Sequence, residues 1–124
     1  MKDNLYMASA TVLQWASTKG NLYIARLLID YGVDVQAKTK NCYTALHRAS
    51  YYGNLKVVKL LLDNNADVNA NGDNDGTTPL HWASFNSNLE LIYELVKAGA
   101  KINAPDYTDY NGWTPLTCAK KKKL

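Results

Sequence analysis

The sequence predicts an all-α repeat solenoid, and two observations carry that prediction. First, a six-residue frame returns along the chain, as Thr11-Val12-Leu13-Gln14-Trp15-Ala16, Thr44-Ala45-Leu46-His47-Arg48-Ala49, Thr78-Pro79-Leu80-His81-Trp82-Ala83 and Thr114-Pro115-Leu116-Thr117-Cys118-Ala119. Its opening threonines stand 33, 34 and 36 residues apart, and self-similarity at such a period marks stacked supersecondary units. Second, the first three frames are each followed by an apolar stretch suited to a further helix, containing Leu27-Leu28, Leu60-Leu61-Leu62 and Leu95-Val96.

Each residue type in the frame has a physical role. Thr suits a helix N-cap, where its hydroxyl accepts a bond from an orphan backbone N–H. Pro suits the first helical position, which has no N–H to lose. Leu and Ala face inward, and Ala allows close approach of neighbouring helices. His shares the buried side, so it is expected to hydrogen-bond to backbone or to a neighbouring unit.

Along the chain, Leu5, Tyr6 and Met7 are expected to pack on the first helix and Met1 to Asn4 to fray. In the first unit Val12 replaces the helix-opening Pro and Gln14 replaces His, as suits a terminal unit with one face in water. Gly32 fits the left-handed slot past the second helix. In the second unit the first helix is expected over about Ala45 to Tyr52, ended by Gly53, and Asn54 is placed to cap the next. Asn65 stands in the slot of Gly32, and Asn tolerates positive φ better than most residues. In the third unit Asp73-Asn74-Asp75, between Gly72 and Gly76, suits a hairpin tip. Ser87 replaces a helix-ending glycine at modest cost. Glu94 takes the slot of Leu27 and Leu60 and is expected to be exposed. In the fourth unit a helix is expected to open at Pro115, with the sequence ending before a second.

These features resemble the ankyrin repeat. Beyond the frame, the resemblance rests on Gly20-Asn21-Leu22, Gly53-Asn54-Leu55 and Ser87-Asn88-Leu89. It rests also on the closing runs Tyr31-Gly32-Val33-Asp34-Val35, Asn64-Asn65-Ala66-Asp67-Val68-Asn69-Ala70 and Ala98-Gly99-Ala100-Lys101-Ile102-Asn103-Ala104. It covers nearly the whole chain. It implies a single domain over 1–124, with helix-turn-helix pairs joined by short β-hairpin loops. The repeats would fall at about 6–38, 39–71 and 72–104, with a partial capping repeat at 105–124. It also implies a concave side lined by hairpin tips and first helices, where the family usually contacts proteins, and a convex back of second helices. Asn69 and Asn103 fall in a slot that asparaginyl hydroxylases can modify in ankyrin domains; a turn-stabilising role is the stronger expectation.

Composition narrows the function. The chain is 47% hydrophobic, ordinary for a folded domain. Its net charge is +3, and without Lys120 to Lys123 the remainder stands at −1. That leaves no broad basic footprint, so nucleic acid is not the expected partner. The lysine run is expected to be a solvated tail or the polar face of a cap. Cys42 and Cys118 lie in slots two units apart, too far for a disulfide. With no secretory signal and no apolar run of membrane-spanning length, an intracellular monomer is expected, cytoplasmic or nuclear.

No catalytic, cofactor or metal site is expected. His47 and His81 occupy equivalent slots of successive units and lack the closely spaced ligands a metal needs. There is no Gly-rich phosphate loop, no nucleophile elbow and no Cys-x-x-Cys. Asp34 and Asp67 are expected to accept backbone N–H bonds in turns.

The expected function is therefore recognition of a protein partner, with no small-molecule substrate. Nine of the chain's thirteen aromatics map to groove-facing slots: Trp15, Tyr43, Tyr51, Tyr52, Trp82, Phe85, Tyr107, Tyr110 and Trp113. Tyr, Trp and Arg dominate binding hot spots because they bury much area at low entropic cost. The partner-binding set is accordingly Tyr43, Arg48, Tyr51, Tyr52, Trp82, Phe85, Tyr107, Tyr110 and Trp113. It suits a partner presenting apolar side chains and an acid. Trp15 and Trp82 are equally placed to pack between units. An alternative stays open, that the chain is a fragment of a larger multi-ankyrin effector, adaptor or scaffold whose activity lies in another domain.

Overall fold

The structure, a computed structural model, describes residues 2–39, 42–72 and 76–102, with side chains from residue 8 onward. Six helices follow in order: α1 Lys2–Lys19, α2 Leu22–Asp30, α3 Ala45–Tyr51, α4 Leu55–Asp63, α5 Pro79–Phe85 and α6 Leu89–Lys97. The odd-numbered helices pack side by side, α1 on α3 and α3 on α5, and the even-numbered ones do the same behind them. Each odd helix also packs on the even helix that follows it. The result is a two-layer stack of helical pairs. No described helix is long and apolar enough to cross a membrane.

The core lies between the layers and repeats with the units. The frame leucines Leu13, Leu46 and Leu80 are buried, as are Ala16, Ala49 and Ala83. Leu61 and Leu95 meet them from the second helices, together with Val57, Val58 and Leu91. The alanines present only a methyl group at this seam, which lets neighbouring first helices approach closely.

Thr44 and Thr78 cap α3 and α5 from extended backbone, and each hydroxyl accepts the N–H of the frame histidine at 3.4 Å. The histidine returns the bond. Thr44 N–H donates to His47 Nδ1 at 3.1 Å, and Thr78 N–H donates to His81 Nδ1 at 2.9 Å. Nδ1 of His47 therefore carries a lone pair, which puts the proton of the neutral ring on Nε2. Nε2 then donates to the Thr77 carbonyl of the next unit at 2.7 Å. One buried ring thus closes its own helix start and pins the following repeat.

The first unit departs from the expected layout. No glycine or proline interrupts residues 2–19, so the helix continues upstream and α1 covers 18 residues. Thr11 is an exposed mid-helix residue, not an N-cap. Lys2 to Asn4 are helical, and Leu5, Tyr6 and Met7 belong to the first helix instead of packing against it. With no helix start to close here, Gln14 suffices where His stands elsewhere. Its Nε2 donates to the Tyr43 carbonyl, the position equivalent to Thr77. Its Oε1 accepts from Thr39 Oγ1 at 3.1 Å.

Other amides tie the units at their bases. Gln36 donates to the Asn65 carbonyl at 2.6 Å and accepts from Asp67 N–H at 2.9 Å. Asn69 repeats this one unit later, donating to Gly99 O at 3.1 Å and accepting from Lys101 N–H at 2.8 Å. The turn-stabilising role expected of Asn69 is what its geometry gives; Asn103 lies outside the described residues. Asp34 and Asp67 accept the N–H groups of Gln36 and Asn69, each at 2.9 Å. Asn54 behaves differently from expectation. It stands at the N-cap of α4, yet its side chain makes no cap bond. Instead Nδ2 donates to the Ser17 and Thr18 carbonyls of the preceding unit at 2.6 and 3.0 Å. Asn21 and Asn88 do cap α2 and α6.

Among the described residues no strand forms, and the loops between units are turns. Gly72 N–H donates to Thr77 O at 2.9 Å, a hairpin-like closure. Asn65 (φ 67°) and Ser87 (φ 55°) hold the left-handed backbone that Gly32 and Gly53 hold in equivalent slots. Glu94 is partly covered, not exposed, and lies 3.9 Å from Lys59 Nζ.

Leu61→Ala is expected to lower unfolding free energy by about 2–5 kcal/mol in urea denaturation, because the side chain is wholly enclosed. His47→Ala removes one of the two bonds to the buried Thr77 carbonyl, which keeps Gly72 N–H, and strands the Thr44 N–H; it is expected to cost about 2 kcal/mol. His47→Gln is expected to cost less in the same assay, because Gln14 makes the inter-unit bond in its own unit. A third comparison concerns glycine. A Cβ on Gly32 meets nothing within 4 Å, whereas one on Gly20 lies 2.9 Å from Asn54 Oδ1. Both positions carry positive φ, so Gly32→Ala is expected to cost ~1 kcal/mol. Gly20→Ala should cost more, since it also displaces Asn54 from its two carbonyls.

Candidate functional site

The site is built from the solvent-facing turn of α3 and the matching turn of α5. Helix α3 is only seven residues long, so Arg48, Tyr51 and Tyr52 fall within one turn of its C-terminal end. Tyr43 stands just before the cap Thr44. Trp82 holds in α5 the slot that Arg48 holds in α3, and the stacking of the two helices brings it against the second unit.

The rings meet edge to face. Tyr43 and Trp82 have centroids 5.8 Å apart at 90°, and Trp82 and Tyr51 lie 5.2 Å apart at 78°. Tyr51 and Tyr52 are 4.8 Å apart at 74°. Such pairs contribute about 0.5–1.5 kcal/mol each beyond area burial. Tyr43 also leans on His47 at 5.2 Å, so the cluster is anchored to the ring that links the units. Arg48 Cζ lies 5.9 Å from the Tyr43 ring centroid, within cation–π range. Its Nε donates to Gln14 Oε1 at 3.4 Å.

Together Tyr43, His47, Arg48, Tyr51, Tyr52 and Trp82 line an open cleft of about 290 Å³. Five of these belong to the expected partner-binding set. Tyr51 and Tyr52 remain 41% and 51% exposed, while Tyr43, Arg48 and Trp82 are half-buried. Phe85 does not line the cleft; it is exposed one turn along α5 from Trp82. Trp15 is exposed on α1 and also outside the cleft. Tyr107, Tyr110 and Trp113 lie outside the described residues.

Two features escape inspection of the sequence alone. Gln14 orients Arg48 from 34 residues upstream, and only the stacked geometry reveals that link. On the back, Leu55, Lys59, Leu89, Glu90, Tyr93 and Glu94 line a shallow groove of about 400 Å³ between α4 and α6. Leu89 and Tyr93 are exposed there. A faint signal for this groove exists, since Leu89 and Tyr93 share one face of a nine-residue helix.

The front cleft has the makings of recognition. His47 is committed through both ring nitrogens to the fold. Among the described residues, no group of His, Cys, Asp or Glu side chains comes together to hold a metal ion. Among the described residues, no carboxylate lines the cleft.

A family model described as ankyrin repeats in three copies matches residues 2–72 and again 69–123. No curated protein matches the chain. Stacked helical pairs, Thr-to-His caps and the period near 33 residues all agree with that family, whose repeats are in general non-catalytic protein–protein interaction modules. The chain belongs to the ankyrin repeat family.

Proposed function

We propose that this chain is a non-catalytic interaction module that binds a protein partner across its first helices, with the cleft of Tyr43, Arg48, Tyr51, Tyr52 and Trp82 at the centre. The observation that carries the proposal is the clustering of four aromatic rings and a guanidinium around one open cleft. Tyr51 and Tyr52 leave close to half their surface in water. Contiguous exposed aromatic surface of this kind is costly to leave uncovered and is typical of interaction sites. The rings already stack on one another, so covering them sacrifices little rotamer freedom. Phe85 extends the same surface along α5, and Tyr107, Tyr110 and Trp113 would extend it into the fourth unit.

The test is affinity capture from the source cell with the wild-type chain, with Tyr52→Ala and with the back-face variant Tyr93→Ala. Circular dichroism checks that each is folded. Tyr52→Ala is expected to cost under about 1 kcal/mol of stability, since the ring is half in solvent. A protein held by wild type and by Tyr93→Ala but lost with Tyr52→Ala supports the front surface. Loss with Tyr93→Ala and retention with Tyr52→Ala would move the function to the back groove.

A further inference from the structure

Building on the proposed front surface, we infer that the cleft takes an acidic segment of its partner: one aromatic or large aliphatic side chain seated among the rings, with a neighbouring carboxylate on Arg48. The inference rests on how charge is distributed between the two layers. Over residues 8–19, 45–51 and 79–85, the first helices carry Lys19 and Arg48 and no carboxylate. The carboxylates with described side chains are Asp30, Asp34, Asp63, Asp67, Glu90 and Glu94. All of them stand on the second helices or in the turns that follow those helices.

Arg48 is the cation at the cleft. Its Nε makes a long bond to a neutral amide and its guanidinium faces the Tyr43 ring. Among the described residues it pairs with no carboxylate. A half-buried guanidinium beside apolar rings is poorly hydrated, so a bidentate carboxylate from outside gains more there than it would in open water. The same guanidinium disfavours a cationic side chain in the aromatic cluster, which excludes a methylated-lysine cage of the ordinary kind.

Size and charge spacing narrow the occupant further. At about 290 Å³ the cleft stands at the small end of the ~300–1,000 Å³ of ligand sites. That volume, open on one side, suits a single side chain of a larger partner. Single-stranded nucleic acid would also stack on aromatic rings, but it needs a row of cations to track its phosphates. The first helices offer only Lys19 and Arg48 over the residues given above.

The experiment titrates four probes into the whole chain: the blocked peptide Gly-Ser-Glu-Phe-Glu-Ser-Gly, its versions with both Glu replaced by Gln or by Lys, and the oligonucleotide octathymidylate. Proton–nitrogen NMR follows the Trp82 indole and the backbone amides of residues 43–52. The Glu peptide is expected to shift these signals saturably and to bind about tenfold more tightly than the Gln peptide, the effect of one charge-assisted contact. The Lys peptide is expected to bind weakest. In Arg48→Gln the advantage of Glu over Gln is expected to vanish, a comparison between peptides on one protein that damage to the fold would not mimic. Equal binding of Glu and Lys peptides, tighter binding of octathymidylate, or silence from every peptide would overturn the inference. If captured partner still depends on Tyr52 while the peptides fail, the front surface stands and the acidic class falls.

Discussion

A single buried side chain in each of the first two units, directed at the backbone of the next, sets the geometry on which the rest of the molecule depends. Apolar contact between helical layers supplies most of the driving force, but it is non-directional and fixes no register. The bond from His47 Nε2 to the Thr77 carbonyl does, and Gln14 reproduces it toward Tyr43. Breaking such a bond leaves a buried polar group unsatisfied, so sliding one unit past the next is penalised wherever the slot is filled. Gln36 and Asn69 add a second rung at the base, each holding a carbonyl and an N–H of the next turn. A third rung runs from Asn54 back to Ser17 and Thr18, and from Asn86 back to Tyr51. Stability in such an array is close to a sum over neighbours, and these rungs are what make each neighbour specific.

The cleft is a product of that register. Tyr43, Arg48, Tyr51 and Tyr52 come from the second unit and Trp82 from the third, while Gln14 of the first unit holds Arg48. No unit contains the site alone. A displacement of one helical turn between α3 and α5 would separate Trp82 from Tyr43 and Tyr51 and open the aromatic cluster. The hydrogen bond at His47 and the stacking of Tyr43 on the same ring therefore couple the fold to the proposed recognition surface. Rigidity in the rungs becomes preorganisation in the cleft.

What was legible in the sequence is what local chemistry decides. The Thr–His frames specify helix starts because the capping partners lie three residues apart. Asn65 and Ser87 could be placed in left-handed backbone because the helix ends around them leave no other conformation. What was not legible depends on distance along the stack. The threonine of the first frame reads as a cap, yet Thr11 is mid-helix, because nothing over residues 2–10 stops the helix and the frame there lacks its proline. Asn54 was expected to serve its own helix and serves the preceding unit instead, since two carbonyls at the end of α1 come within reach. Glu94 was expected in water and is half-covered beside Lys59, a neighbour contributed by the adjacent second helix. For the cleft, the facing of individual aromatics could be assigned from the repeat. Their convergence on one space, and the absence of Phe85 and Trp15 from it, required the packing of α3 against α5.

The charge balance follows the same division between local and stacked information. Averaged over the sequence without its terminal lysines, the chain is slightly acidic, and no cationic surface would be inferred from that figure. The acids whose side chains are described, however, stand on the second helices or in the turns that follow them. Asp34 and Asp67 satisfy backbone N–H groups in turns, and Glu94 stands beside Lys59. With those carboxylates committed to turns and to the back, residues 8–19, 45–51 and 79–85 of the first helices carry Lys19 and Arg48 and no carboxylate. A composition-level balance near zero is therefore compatible with a local excess of cations on the described part of the first helices. On the proposed reading, Arg48, held by Gln14 and the Tyr43 ring, is the residue that biases the cleft toward an acidic partner.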